Sequence, residues 1–110
     1  GPLWQRLEEL APAVLARELP VLLPPSGEEG PVGFSAGAID LLCRDPASGE
    51  LLVVDFKSDE LRSEPELQAR AEVYGHQLRP YGQALAEALG LPRPPRLELW
   101  FLAAGRVVSV

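Results

Sequence analysis

Two aspartates and the chain's single lysine are the residues whose types and spacing could do chemistry. Asp40 and Asp55 lie in apolar stretches separated by the turn-forming residues 45–49, and Lys57 follows two residues after Asp55. If the two stretches pair as a hairpin with a turn centred between Ala47 and Ser48, Asp40 lies directly opposite Asp55. Side chains alternate along a strand, so Lys57 then shares their face. Directly opposed Cβ atoms lie about 4.5–5.5 Å apart.

Two carboxylates at that distance repel each other unless one is protonated or a cation lies between them. Hard oxygen ligands of this kind suit Mg²⁺ or Mn²⁺. Lys57 adds a positive charge that can hold a phosphate oxygen or orient a water. Metal-assisted phosphodiester hydrolysis needs such a set, because the metal polarises the phosphoryl oxygen and supplies hydroxide near neutral pH. The alternative is a group of solvated charges at strand ends. The use of arginine at the other nine basic positions and the apolar run before Asp55 argue against it.

Two helices are predicted to flank these stretches. The helical spacing of apolar residues predicts an amphipathic helix over the first 16 residues, which Pro12 kinks or restarts. A second, long helix has its apolar stripe from Leu67 to Leu89. Ser63, or the residues just before Pro65, cap its beginning, and Gly90 ends it.

The remaining apolar runs predict strands. Pro20 confines the first of them to a sheet edge or a bulge. The predicted strands cover residues 19–23, 34–43, 51–57, 96–101 and 107–110, with a surface loop over 24–33. We therefore predict an α/β (α+β) fold, with a small mixed β-sheet flanked by helices, in a single domain over residues 1–110.

Composition narrows the function classes. With 110 residues, 46% of them hydrophobic and 24% charged, the chain can form one ordinary domain with one core. Cys43 is the single cysteine, so an internal disulfide is excluded. The net charge of −6 argues against a free-standing electrostatic binder of nucleic acid. Gly1 and Pro2 could be a cleavage scar from an expression tag.

We expect neither a membrane nor a nucleotide cofactor as a partner. No apolar run approaches the ~20 residues of a membrane span, and the N-terminus does not resemble a signal peptide. The loop over residues 24–33 lacks the Gly-Lys-Ser/Thr ending of a phosphate-binding loop. The lack of a membrane span and of a signal peptide favours a cytoplasmic location.

Three motifs in order resemble the PD-(D/E)xK nuclease domain of the RecB and AddA group. Its pattern is Gly-x-Ile-Asp, then Asp-Tyr/Phe-Lys-Thr/Ser, then a helix with Tyr-x-x-Gln-Leu-x-x-Tyr. The similarity extends from about Glu18 to the C-terminus. The matching residues are Gly37-Ala38-Ile39-Asp40, Val53-Val54-Asp55-Phe56-Lys57-Ser58 and Tyr74-Gly75-His76-Gln77-Leu78-Arg79-Pro80-Tyr81.

The resemblance implies a restriction-endonuclease-like core and a deoxyribonuclease that depends on Mg²⁺ or Mn²⁺. It favours exonuclease over endonuclease action. It implies that Asp40 and Asp55 bind the metal, with the backbone carbonyl of Phe56 as a further ligand, and that Lys57 is the catalytic lysine. It also implies a role in double-strand-break processing or repair, with DNA and a helicase domain or subunit as partners, in the bacterial cytosol or nucleoid.

The resemblance further implies accessory residues around this site. Gln77 and Tyr81 form the accessory motif, and their spacing of four places both on one helical face independently of the family. Core packing is an equal alternative for Tyr81, whereas a buried amide at Gln77 would need hydrogen-bond partners. Glu18 matches a Glu-x-Pro strand upstream of the first motif, and it either approaches the metal or ends the first helix.

One departure from the family keeps other functions open. RecB-like nucleases usually carry a histidine in an upstream helix that completes the metal site, and His76 does not match that position. This absence suggests a fragment of a larger helicase–nuclease, and the isolated domain could be weak or inactive. One alternative is a catalytically silent module of the same fold that binds DNA or docks a partner. Another is a resolvase or restriction-like endonuclease, against which the tyrosine–glutamine helix argues.

Overall fold

The computed structural model describes residues 1–23 and 35–110. The loop predicted over residues 24–33 and the first residue of the strand predicted at Phe34 lie outside them. The elements in chain order are α1 (Pro2–Leu10), a 3₁₀ turn (Ala11–Ala13), β1 (Val14–Leu23), β2 (Ser35–Arg44), β3 (Leu51–Lys57), α2 (Glu64–Leu89), β4 (Arg96–Phe101) and β5 (Arg106–Ser109).

The strands form one five-stranded sheet in the order β1-β2-β3-β4-β5. All neighbours are antiparallel except β3 and β4, which run parallel. Parallel neighbours need a long crossover, and α2 supplies it. The prediction of a mixed sheet in an α+β domain is confirmed. In the described residues no helix is long and apolar enough to cross a bilayer.

Helix α2 begins and ends where local chemistry predicts. The Ser63 hydroxyl accepts a hydrogen bond from the Glu66 N–H at 3.2 Å, and Gly90 ends the helix in the left-handed region with φ of 65°. Its buried face recurs every three or four residues and packs on the sheet. The buried residues of α2 are Leu67, Ala71, Gly75, Leu78, Gly82, Leu85 and Ala86.

The N-terminal segment differs from its prediction. Helix α1 ends at Leu10, and the residues from Val14 onward belong to β1 rather than to a helix that reaches residue 16. Pro12 lies in the 3₁₀ turn between them, where its ring and missing N–H break the helical ladder. β1 is an edge strand, as Pro20 predicts.

Apolar side chains are buried on both faces of the sheet. One cluster joins α2 to residues such as Leu51, Val53 and Phe101, and the other lies under α1 around Leu52, Val54 and Trp100. Strand β3 lies inside the sheet and is covered on both faces. Its side chains from Leu51 to Val54 are therefore all apolar, without alternation.

A cluster of charged side chains connects α1 to the face of the sheet that α1 covers. The Arg6 guanidinium donates two hydrogen bonds to the Glu98 carboxylate, at 3.2 and 2.7 Å, and approaches Asp45 at 3.5 Å. The Trp100 indole N–H donates to the same Glu98 carboxylate at 3.0 Å. Glu98 and Asp45 are 3% and 4% exposed, and the charge of Glu98 depends on this pairing, whereas Asp45 also accepts from the Ala47 N–H at 2.9 Å.

Candidate active site

The hairpin of β2 and β3 has the predicted register, but its ladder stops one pair before the aspartates. Leu41 pairs with Val54, and the register holds to the turn. Beyond that pair, the Phe56 N–H donates to Asp40 Oδ2 at 2.7 Å. The ladder therefore does not include Asp40 and Asp55, but its register continues toward them as predicted, and their carboxyl groups lie side by side.

The side chains of β2 do not alternate regularly around Asp40. Ile39 belongs to the core cluster against α2, whereas Leu41, two residues on, belongs to the cluster on the other face. Side chains two apart on a regular strand share a face, so the alternation is interrupted at Asp40. The regular pairing of β2 and β3 thus ends where the two carboxylates lie side by side.

Glu18 lies at the corresponding point of β1. Its neighbours Arg17 and Leu19 pair with Leu41 and Ile39, which leaves Glu18 in register with Asp40. Its φ is 49°, a left-handed conformation that costs a non-glycine residue about 1–3 kcal/mol. The side chain is exposed. The alternative in which Glu18 ends the first helix is wrong, because α1 ends eight residues earlier at Leu10.

Asp55 and Lys57 form an ion pair at the end of β3. Lys57 Nζ lies 2.9 Å from Asp55 Oδ2, and both side chains are mostly buried. Burial raises the pKa of the Asp55 carboxyl, and the adjacent Asp40 carboxyl raises it further, whereas Lys57 lowers it. The net direction is upward, so the lysine does not fully compensate the desolvated carboxylate.

Lys57 has a second contact that the sequence did not indicate. Its Nζ lies 4.0 Å from the centroid of the Tyr74 ring on α2. The Tyr74 hydroxyl donates to Asp59 Oδ2 at 2.8 Å, and this bond raises the pKa of Tyr74. Tyr74 stands three and seven residues before Gln77 and Tyr81, which is the spacing of one helical face. That spacing was the one feature of the sequence that could have placed Tyr74 beside the candidate site.

An open cleft of about 450 Å³ lies between this end of β3 and α2. The structure brings the candidates on the two elements together there, with Asp55 and Lys57 on one side and Gln77 and Tyr81 on the other. Gln77 is exposed, so the premise of a buried amide is wrong. The full lining is Leu23, Ala38, Asp55, Lys57, Tyr74, Gln77, Leu78 and Tyr81.

The position of Tyr81 is compatible with both alternatives that the sequence left open. Tyr81 lies on α2. Its side chain packs against the core cluster between α2 and the sheet, and it also lines the cleft. It lies so close to Gly37 that a Cβ there would meet Tyr81 Cζ and Cε1 at 2.7 Å and collide with the hydroxyl oxygen. The glycine of the first motif is therefore required by the tyrosine of the third.

The oxygen donors near the cleft suit a hard divalent cation. Asp40 and Asp55 supply two adjacent carboxylates, and the raised pKa of Asp55 is the kind of strain that a bound cation relieves. Over residues 1–23 and 35–110, no group of three or more His, Cys, Asp or Glu side chains is arranged to hold a metal. A cation held by this pair would complete its shell with backbone oxygen and water, as Mg²⁺ usually does.

The sequence as a whole matches a known family. The model of the PD-(D/E)XK nuclease superfamily matches residues 4–109. The chain belongs to this superfamily. Membership implies nuclease activity in general, and PD-(D/E)XK nucleases generally use divalent metal ions. In this PD-(D/E)XK domain, Asp55-Phe56-Lys57 fits the D-x-K half of the motif, with Asp40 beside it. No curated protein matches the sequence.

Proposed function

We propose that this chain is a metal-dependent deoxyribonuclease domain of the RecB and AddA type, which cleaves DNA during double-strand-break processing beside a helicase domain or subunit. The observation that carries the proposal is one cleft lined by Asp55, Lys57, Gln77 and Tyr81, with Asp40 next to Asp55. We further propose exonuclease action and a location in the bacterial cytosol or nucleoid.

The residues would divide the work by their chemistry. Asp40 and Asp55, with the Phe56 carbonyl, would hold Mg²⁺ or Mn²⁺, and the bound ion would supply polarisation of the phosphoryl oxygen and hydroxide near neutral pH. Lys57 lies within the cleft as a point charge that can hold a phosphate oxygen. Gln77 and Tyr81 can donate hydrogen bonds to the DNA backbone, contacts that fix position rather than sequence.

Glu18 belongs to the same proposal as an accessory carboxylate. It is in register with Asp40 and adopts a strained conformation, and such strain is retained where the surrounding structure imposes it. We propose that Glu18 supports the metal site from β1.

The test is cleavage of linear single- and double-stranded DNA in Mg²⁺ and in Mn²⁺. Asp40→Asn and Lys57→Ala should lower kcat by at least about a hundredfold, the loss typical of removing one group that stabilises developing charge. Glu87→Gln is the matched control, because it removes one negative charge at an exposed position near the end of α2. Cleavage that survives in both site variants would disprove the assignment.

A second candidate is a catalytically silent module that binds DNA or docks a partner. A silent module is favoured by the lack of a third clustered metal-binding side chain over the described ranges, and the net charge of −6 favours docking to a partner over binding to DNA. If this candidate is right, wild type and Lys57→Ala are equally inactive in every metal, while the domain still binds DNA or a helicase subunit.

A further inference from the structure

Lys57 has a long, flexible side chain, yet the chemistry assigned to it requires one position. Its ion pair with Asp55 holds the ammonium at 2.9 Å. That contact depends on a carboxylate which the proposed metal also needs. A cation bound at Asp55 would compete with Lys57 for the same negative charge, so the ion pair would hold the lysine less strongly once the site is loaded.

The Tyr74 ring is a contact that does not depend on the metal ligands. The ammonium lies 4.0 Å from the ring centroid, within the range in which a cation is attracted by the electron-rich face. Both partners are partly withdrawn from water, which strengthens the attraction. The ring also packs 6.3 Å from the Phe101 ring, so its place on the sheet is fixed.

Asp59 fixes the other end of the tyrosine. Asp59 lies in the segment between β3 and α2, and its carboxylate accepts a hydrogen bond from the Tyr74 hydroxyl at 2.8 Å. A phenol that donates to a carboxylate is polarised, with more electron density on its ring and a stronger attraction for a cation. The chain of contacts therefore runs from the Asp59 carboxylate through the phenol to the Lys57 ammonium.

We propose that Tyr74, anchored by Asp59, is a positioning residue that holds the Lys57 ammonium toward the cleft. This role rests on the proposed nuclease function for its effect on rate. The geometry itself stands without that function, because it concerns contacts within the chain.

The single lysine allows that geometry to be measured without any activity. Protein grown with ¹³C,¹⁵N-lysine carries the label at Lys57 alone. Protons above an aromatic face are shielded, so the Lys57 ε-methylene signal should lie upfield in the folded domain, both without metal and with saturating Mg²⁺. Tyr74→Leu should return it to the position of a solvated lysine. Tyr74→Phe and Asp59→Ala, which keep the ring but remove its anchor, should shift it partway.

Kinetics provide the second measurement. Tyr74→Phe and Asp59→Ala should lower kcat by about tenfold to a hundredfold, as expected for a misplaced catalytic group, with KM for DNA unchanged. Glu60→Ala is the matched control, because it removes one exposed carboxylate next to Asp59. It should leave both the lysine signal and kcat at wild-type values.

The outcomes separate this proposal from the nuclease assignment. A lysine signal that is the same in wild type and Tyr74→Leu overturns the positioning role, as does a loss confined to KM. If Tyr74→Leu fails to fold, the Tyr74→Phe and Asp59→Ala signals decide. If wild type cleaves no DNA, the nuclease proposal fails, and the lysine signals still decide whether Tyr74 holds Lys57.

Discussion

Removing Arg6 should destabilise the domain strongly, although the residue is far from the cleft. Arg6→Met keeps a long apolar stem and deletes the guanidinium that pairs with Glu98 and Asp45. Those carboxylates are 3% and 4% exposed, and breaking a buried pair by removing one partner costs about 3–5 kcal/mol. The Arg6 side chain is 20% exposed, so water can replace part of the lost pairing. We therefore expect the lower end, about 3 kcal/mol.

The loss is large enough to measure in a simple melt. In a domain of about this size, 1 kcal/mol corresponds to roughly 4–8 °C in Tm, which gives a fall of about 12–24 °C. Urea unfolding followed by circular dichroism should show a lower midpoint with an unchanged slope.

A second variant shows whether the cause is the orphaned charge. Adding Glu98→Gln to Arg6→Met removes the buried charge but keeps an oxygen that accepts from Trp100. The double variant should recover more than half of the lost stability, because the two sites are coupled. An Arg6→Met domain within about 1 kcal/mol of wild type would refute the assignment of a buried, charge-dependent anchor.

Three further predictions concern the site. Saturating Mn²⁺ at a hundredfold excess over Kd should stabilise wild type by about 2.7 kcal/mol in thermal melts, and Asp40→Asn should abolish that shift; equal melts at millimolar Mn²⁺ would reject the metal site. Because the folded pKa of Asp55 is raised above 3.8, the folded state binds more protons than the unfolded chain just above that value, and stability falls as pH rises through this window. Metal-free Asp55→Asn should therefore unfold at a higher temperature than wild type at pH 7, and the difference should vanish in melts below pH 3.8; a variant less stable at pH 7 contradicts the direction. Gly37→Ala should cost about 1–3 kcal/mol in urea unfolding through its clash with the Tyr81 ring, and combining it with Tyr81→Leu should recover part of the loss; additive losses would show that the clash is not the cause.

Local chemistry is what made the hairpin and the long helix predictable. The turn formers at 45–49 set the register of β2 and β3, and Ser63 and Gly90 set the ends of α2. Each of these signals lies within a few residues of the feature that it controls. They were sufficient to bring Asp55, Lys57 and the α2 residues to one side of the sheet.

The features that were missed depend on contacts distant in sequence. Arg6 and Glu98 are 92 residues apart, and no pattern in either segment predicts that the two side chains pair. Residues 14–16 can continue a helix by spacing, but pairing of Val14 with Cys43 places them in a strand. The exposure of Gln77 and the contact of Tyr74 with Lys57 likewise follow from how α2 is rotated over the sheet, which periodicity alone does not specify.

The hydrogen bond from the Phe56 N–H to Asp40 has a consequence for recognition. It holds the Asp40 carboxylate in one orientation before any ligand arrives, so the conformational entropy of that side chain is lost during folding rather than during binding. Oδ2 accepts from the Phe56 N–H, and the same carboxylate lies beside that of Asp55. A preorganised carboxylate on a strand binds with less reorganisation than one on a loop. The hydrogen bond at the irregular end of the hairpin therefore lowers the entropic cost of binding a ligand at Asp40, because folding has already oriented the carboxylate.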